Sequence, residues 1–251
     1  MKNVYLLLLL ATTSTQVWAQ SAKQGQITYN ETVKITMSLP PEMQAMMDSL
    51  PKERTTSKLL YFNETATLYK NLPKESDDQR INHESEGMKF NFVMREPVNI
   101  VHTDLASKLT TEQKEFMDRT FLIASTLDSQ VWKLGQETEV ILGYPCMSAT
   151  RLVKGQEIKV WFTPNIPYSS GPAGLGNLPG LILKAVFDDG ARVIVAKSMN
   201  EENFDASELK APKTGKKVTK SEFLQIVEEK TKEMEAEFGG SGGGARIIIR
   251  N

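Results

Sequence analysis

Residues 161–184 read WFTPNIPYSSGPAGLGNLPGLILK, from Trp161 to Lys184. Four Gly and four Pro fall in this run, which ends in the apolar triplet Leu181-Ile182-Leu183. Proline removes a backbone donor and fixes φ, and glycine opens positive φ, so the run does not form a helix. It reads as an ordered loop between two apolar strands, the kind of long loop that often carries function. Hairpin signals flank it. Lys154-Gly155-Gln156 separates apolar segments 146–153 and 157–163, and Asp188-Asp189-Gly190 separates 181–187 and 192–199. Strand, turn, strand on both sides predicts a mainly antiparallel β fold.

The pattern continues outward. Residues 25–37 alternate, with Ile27, Tyr29, Val33, Ile35 and Met37 on one parity. Pro40 and Pro51 bracket a short helix whose Met43, Met46, Met47 and Leu50 share a face. Strands are expected at 55–63 and 65–72 around an Asn63-Glu64 turn, and at 87–95, 98–101, 115–124 and 132–141. Residues 73–86 read as a polar, mobile loop, 105–113 as a polar bridge and 200–217 as a polar connector. A helix is expected over 219–238. Thr219 and Glu222 make a capping box, and Glu228 and Lys232 are an i,i+4 pair. The expected fold is therefore mainly β (α+β): a large curled antiparallel sheet or half-barrel, with a short N-terminal helix and one long C-terminal helix on its open face. The organisation reads as 1–19 signal peptide, 20–217 β domain, 218–238 helix, and 239–251 Gly-rich linker with an Ile-rich terminal strand. That last segment, Arg246-Ile247-Ile248-Ile249-Arg250, suits either a sheet edge in this chain, a partner's sheet, or a frayed tail.

Composition narrows the function. The formal net charge of -1 provides no field for nucleic acid. Lys2, an apolar run over 4–11 and Val17-Trp18-Ala19 form an export signal, with cleavage expected after Ala19. The apolar run is too short for a membrane-spanning helix, so no transmembrane segment is expected once it is removed. The expected location is periplasmic, outer-membrane-associated or extracellular. Cys146 is the only cysteine, so an internal disulfide is excluded; a buried apolar role is the favoured reading.

The central stretch resembles the GLPGLI family of the Bacteroidetes phylum. The resemblance rests on Trp161-Phe162-Thr163-Pro164-Asn165-Ile166-Pro167, Gly171-Pro172 and Asn177-Leu178-Pro179-Gly180-Leu181-Ile182-Leu183, where NLPGLI stands for the hexapeptide that names the family. Asn177 replaces its first glycine, and asparagine is well suited to left-handed φ. Upstream, Trp132, Glu137-Thr138, Gly143-Tyr144-Pro145-Cys146 and Ala149-Thr150 are similar to the family's order, while Gly155-Gln156 replaces its Gly-Arg. The resemblance implies a small exported protein and supplies no activity.

Catalytic chemistry is hard to find. Of the two histidines, His83 falls in the charged loop beside Glu84 without the i,i+4 spacing of a helical metal pair, and His102 falls in or beside a strand. Gly174-Leu175-Gly176 lacks a third glycine and a βαβ context, and Asp188-Asp189 belongs to a turn. The expectation is a non-enzymatic binding protein without cofactor. Trp161, Phe162, Tyr168, Gly171, Pro172, Leu178, Pro179 and Gly180 are the candidate residues for an unknown hydrophobic ligand, peptide or envelope protein. The alternatives are an assembly module for an outer-membrane machine, which would donate the C-terminal strand, and a Cu(I)-handling protein using Met43, Met46 and Met47. Packing on one helix face accounts for the methionines more simply.

Overall fold

A computed structural model describes residues 24–38, 52–72, 79–85, 88–94, 96–201, 204–239 and 246–248. Among these described residues twelve strands form one open sheet. In chain order they are β1 (Gly25–Lys34), β3 (Glu53–Phe62), β4 (Ala66–Asn71), β7 (Asn99–Asp104), β8 (Leu109–Phe116), β9 (Arg119–Thr126), β10 (Lys133–Ile141), β11 (Tyr144–Val153), β12 (Gln156–Thr163), β13 (Leu181–Phe187), β14 (Arg192–Asn200) and β15 (Lys216–Thr219). Their order across the sheet is β10-β11-β12-β13-β14-β1-β3-β4-β7-β8-β9-β15. All neighbours are antiparallel except β15, which runs parallel to β9. Two small pairs lie outside this sheet: β2 (Thr36–Ser38) with β16 (Arg246–Ile248), and β5 (Gln79–Ser85) with β6 (Met88–Met94). The mainly antiparallel sheet and the long C-terminal helix, α1 (Lys220–Gly239), are as the sequence predicts.

The sheet curls around the Gly/Pro loop. Ser170 Oγ meets Thr67 Oγ1 of β4 at 2.7 Å, and a Cβ at Gly174 would lie 3.1 Å from Val101 of β7. On the other side, Cβ of Ile182 in β13 lies 2.6 Å from where Gly171 would carry its own. One loop thus touches strands five places apart in the sheet. The main core joins Ile27, Tyr29, Leu60, Phe62, Tyr69 and Val101 of one half to Val160, Phe162, Leu183, Ala185 and Ile194 of the other, with Ile166, Tyr168, Leu175 and Leu178 of the loop between them.

Helix α1 closes the far edge. The capping box forms as expected: the Thr219 N–H and hydroxyl both donate to Glu222, and the Glu222 N–H donates back to Thr219 Oγ1 at 3.2 Å. Phe223 then packs edge-on against Phe116 and Phe121.

Four expectations need correction. Residues 73–86 are not wholly a loop, since Gln79–Ser85 is a strand. Its sequence offers one strong apolar residue, Ile81, so pairing with the alternating strand Met88–Met94, not its own periodicity, defines it. The predicted strand over 115–124 is two strands folded back at Met117 and Asp118, both at positive φ (48° and 57°). That turn lacks glycine, so nothing in the residue types marks it. By the same reversal the polar bridge over 105–113 contains the start of β8. The connector over 200–217 contains a short 3-10 turn, Ala206–Leu209, and the start of the parallel strand β15, too short and too basic to show a period. The short N-terminal helix, the signal segment, Met43, Met46, Met47 and the Gly-rich linker lie outside the described residues.

Candidate functional site

The Gly/Pro loop is built into the core. Phe162 is fully buried, Trp161, Tyr168, Gly171, Pro172, Leu178 and Gly180 are buried, and of the candidate residues only Pro179 is exposed. Gly180 has φ 154°, and a Cβ there would stand 2.1 Å from the carbonyl oxygen of Thr163. Asn177 has φ 61°, and its side-chain amide donates to the Gln130 carbonyl at 2.8 Å. Gln130 also donates to Gly174 O and accepts from Gly176 N. The Trp132 indole donates to Gly176 O at 2.7 Å. Trp161 lies on the outer face, between the ammonium groups of Lys159 and Lys184, which pair with Glu137 and Glu139 of β10. Beneath the loop its own side chains Ile166, Tyr168, Leu175 and Leu178 pack into the core.

The other end of the same inner face is polar. Residues directly opposite in a ladder point to one side of a sheet. The register Arg151↔Ile158↔Phe187↔Arg192 therefore lines up these four side chains across β11 to β14. Tyr29↔Lys58, Lys58↔Asn71 and Asn99↔Lys114 continue that face across β1, β3, β4, β7 and β8. Each of these polar positions lies towards the strand end that points away from the loop.

Glu31 is the centre of this polar end. Arg192 Nε donates to its Oε1 at 2.7 Å, Tyr69 OH donates to Oε2 at 3.2 Å, and Lys58 Nζ lies 3.8 Å away. Burial raises the Glu31 carboxyl pKa, but Arg192 and Lys58 outweigh it and hold the group below the ordinary carboxylate value. Burial and the Glu31 charge raise the Tyr69 phenol well above its usual value. Lys58 also donates to Asn71 Oδ1 at 2.9 Å and pairs with Glu96. Burial pushes the Lys114 ammonium pKa down, and Lys220 and Arg192 add to this while Glu112 and Glu31 oppose it. Two aromatic contacts frame the cluster: Arg192 lies 4.8 Å from the Phe187 ring centroid, and Arg151 lies 5.4 Å from that of Trp132. Arg151 Nη1 and Asn99 Oδ1 are buried and have no hydrogen-bond partner among the described residues.

This arrangement can bind. Four cations, Lys58, Lys114, Arg151 and Arg192, face three carboxylates, Glu31, Glu96 and Glu112, beside aromatic surface. Cys146 and His102 do not join them. Burial pushes the Cys146 thiol up to about 11, which keeps it protonated and inert. His102 is on the outer face, and burial lowers its pKa against the opposing pull of Asp104. Among the described residues no group of three His, Cys, Asp or Glu is placed to hold a metal ion.

Sequence reading missed the polar end, although one signal was present. Glu31 shares the parity of Ile27, Tyr29 and Val33 and so points inward. A charged residue in the inward register of an otherwise apolar strand marks a buried polar site.

Comparison with known proteins supplies a family and a fold. The family model described as "N-glycanase peptide, N-terminal domain" matches residues 77–223, more than half of the chain. It covers the Gly/Pro loop together with Trp132, Arg151, Phe187 and Arg192, and it is not the model of the GLPGLI family that the loop resembles. No curated protein matches the chain. Two solved structures of PNGF-II, in space groups P21 and C2, have TM-scores of 0.52 and 0.51 at 19% and 20% identity. Each match covers 82% of this chain and 33% of the other, so the chain spans about a third of the length of those proteins. At that identity the likeness is one of fold.

Proposed function

Given that the chain belongs to the family of PNGase F-II N-terminal domains, we propose that it is a non-catalytic, exported binding protein that holds a polar ligand, an N-linked sugar chain, against the inner face of its curled sheet. One observation carries the reading: charged and amide side chains converge around Glu31, flanked by Phe187 and Trp132, at the end of the sheet that the loop leaves unfilled. Sugars are bound by planar polar groups that exchange hydrogen bonds with hydroxyls, beside aromatic rings that cover the apolar ring faces. The family's description, which names an N-glycanase, directs the choice of sugar. Export with cleavage after Ala19 and kinship with the GLPGLI family belong to the same proposal and rest on the sequence alone.

A panel of immobilised N-glycans probed with the purified chain tests this. We expect binding that Phe187→Ala and Lys114→Gln weaken and that Pro179→Ala, at the exposed tip of the loop, leaves unchanged. Absence of binding to every glycan, or the reverse pattern among the variants, contradicts the proposal.

A second reading, contact with an envelope protein, is favoured by a different surface. Val131, Leu134, Val140 and Leu152 are exposed on and beside the edge strand β10. Donation of the C-terminal strand has less support, because Arg246–Ile248 pairs with Thr36–Ser38 of its own chain.

A further inference from the structure

Arg151 differs from the other cations of the inner face. Arg192 bonds Glu31, Lys58 bonds Asn71 and Glu96, and Lys114 lies 3.8 Å from Glu112. Arg151 has no carboxylate partner among the described residues, and its Nη1 is buried without an acceptor. Guanidinium groups withdrawn from water are normally matched by a carboxylate or another acceptor, because an unmatched buried donor costs more than a made bond returns. Burial pushes the Arg151 pKa down, the sense expected of a charge lacking a counter-ion.

The surroundings of Arg151 are fixed. The Trp132 ring lies under its guanidinium, and the Trp132 indole is itself tied to Gly176 of the loop. Ile158 stands directly opposite Arg151 and Phe187 directly opposite Ile158, both half-buried. Arg192 follows, three strand spacings or ~14 Å from Arg151. The row thus runs from an arginine with no carboxylate partner among the described residues, over an apolar and aromatic floor, to an arginine committed to Glu31. That is a strip longer than one sugar ring, with a charge requirement at one end only.

We propose that Arg151, lying over the Trp132 ring, forms a subsite for the carboxylate of an acidic sugar at the end of a glycan laid along Ile158 and Phe187. The inference rests on the reading that this face holds a glycan, and it adds the chemical class of the terminal residue. The carboxylate accepts from the guanidinium of the half-buried Arg151 and supplies the counter-charge that it lacks among the described residues, as a charge-assisted bond. Trp132 backs the guanidinium and gives the sugar ring a flat edge to sit against.

Calorimetric titration of the full chain separates the possibilities. The probes are a biantennary N-glycan ending in sialic acid, the same glycan after enzymatic removal of sialic acid, and oligoglutamate as an acidic chain without sugar. The sialylated glycan is expected to bind about tenfold more tightly than the neutral one, the order that a charge-assisted hydrogen bond contributes. Arg151→Gln is expected to abolish that preference while retaining the neutral glycan. Arg151→Lys keeps the charge, loses the flat stacked fork and should give an intermediate preference, which preserves the test should Arg151→Gln not fold. Equal affinity for the two glycans in the unaltered chain overturns the proposal and leaves the glycan reading standing. Oligoglutamate binding as tightly as the sialylated glycan also overturns it, in favour of a simple cationic patch. Failure of both glycans to bind removes the subsite and the glycan reading together.

Discussion

The indole N–H of Trp132 donates to the carbonyl oxygen of Gly176 at 2.7 Å, joining the start of the edge strand β10 to the middle of the Gly/Pro loop. The same ring lies under Arg151, so one side chain links the packed end of the inner face to the polar end. Trp132→Phe keeps much of the ring and removes the donor. The Gly176 carbonyl then loses its partner, at a cost of about 1 kcal/mol. The melting temperature should fall by roughly 2–4 °C, as for a chain of this size, and an unchanged melting curve would show that the bond contributes nothing.

Glycine at 180 is required by both angle and space. Its φ of 154° is open to glycine, and a methyl group there would meet Thr163 O at 2.1 Å. Gly180→Ala is therefore expected to cost several kcal/mol, on the order of ~3 or more, through backbone strain and displacement of β12. Gly155→Ala is the control: φ is 82° but nothing lies within 4 Å. It should cost only about 1 kcal/mol. Comparable losses in urea unfolding would refute the distinction.

The pair of Glu31 and Arg192 should make stability depend on acid. The folded carboxyl is held below its unfolded value, which is ~4.3 for a glutamate. Its contribution is therefore complete above that unfolded value and is lost as the pH falls through the lower, folded one. Glu31→Gln removes the partner of two buried cations and should cost about 3–5 kcal/mol at neutral pH. The difference between the two proteins should narrow as the pH drops below ~4. A gap that stays constant with pH would mean that the charge of Glu31 is not what stabilises the fold.

At the other edge, Phe223 is 3% exposed and packs against Phe116, Phe121 and Ile123. Phe223→Ala should cost about 3–5 kcal/mol, with the loss of amide protection concentrated in α1 and β9. Uniform loss across the sheet would show that the helix is not a separate edge closure.

Much of the fold was legible because its turns carry their own chemistry. Lys154-Gly155 and Asp188-Asp189-Gly190 adopt positive φ between strands whose apolar residues show their register, and Thr219 with Glu222 announces the helix. Where a turn used Met117 and Asp118, or a strand was as polar as Gln79–Ser85, residue type gave no sign. The loop at 161–184 was legible as an ordered element, but whether it lines a hollow or fills one depends on curvature, which no local pattern encodes. The polar end escaped notice for a related reason. Glu31, Lys58, Arg151 and Arg192 lie on four separate strands and converge only through long-range register. Glu31, at an inward position of β1, was the one local clue.

Amide and side-chain NMR shifts, recorded while an N-glycan is titrated into the isotopically labelled chain, test the central claim most directly. The account predicts saturable shifts at Glu31, Ile158, Phe187 and Arg192, with the core residues Ile166 and Leu178 of the loop unmoved. Shifts confined to the loop or to the outer face around Trp161, or none at saturating glycan, would contradict it.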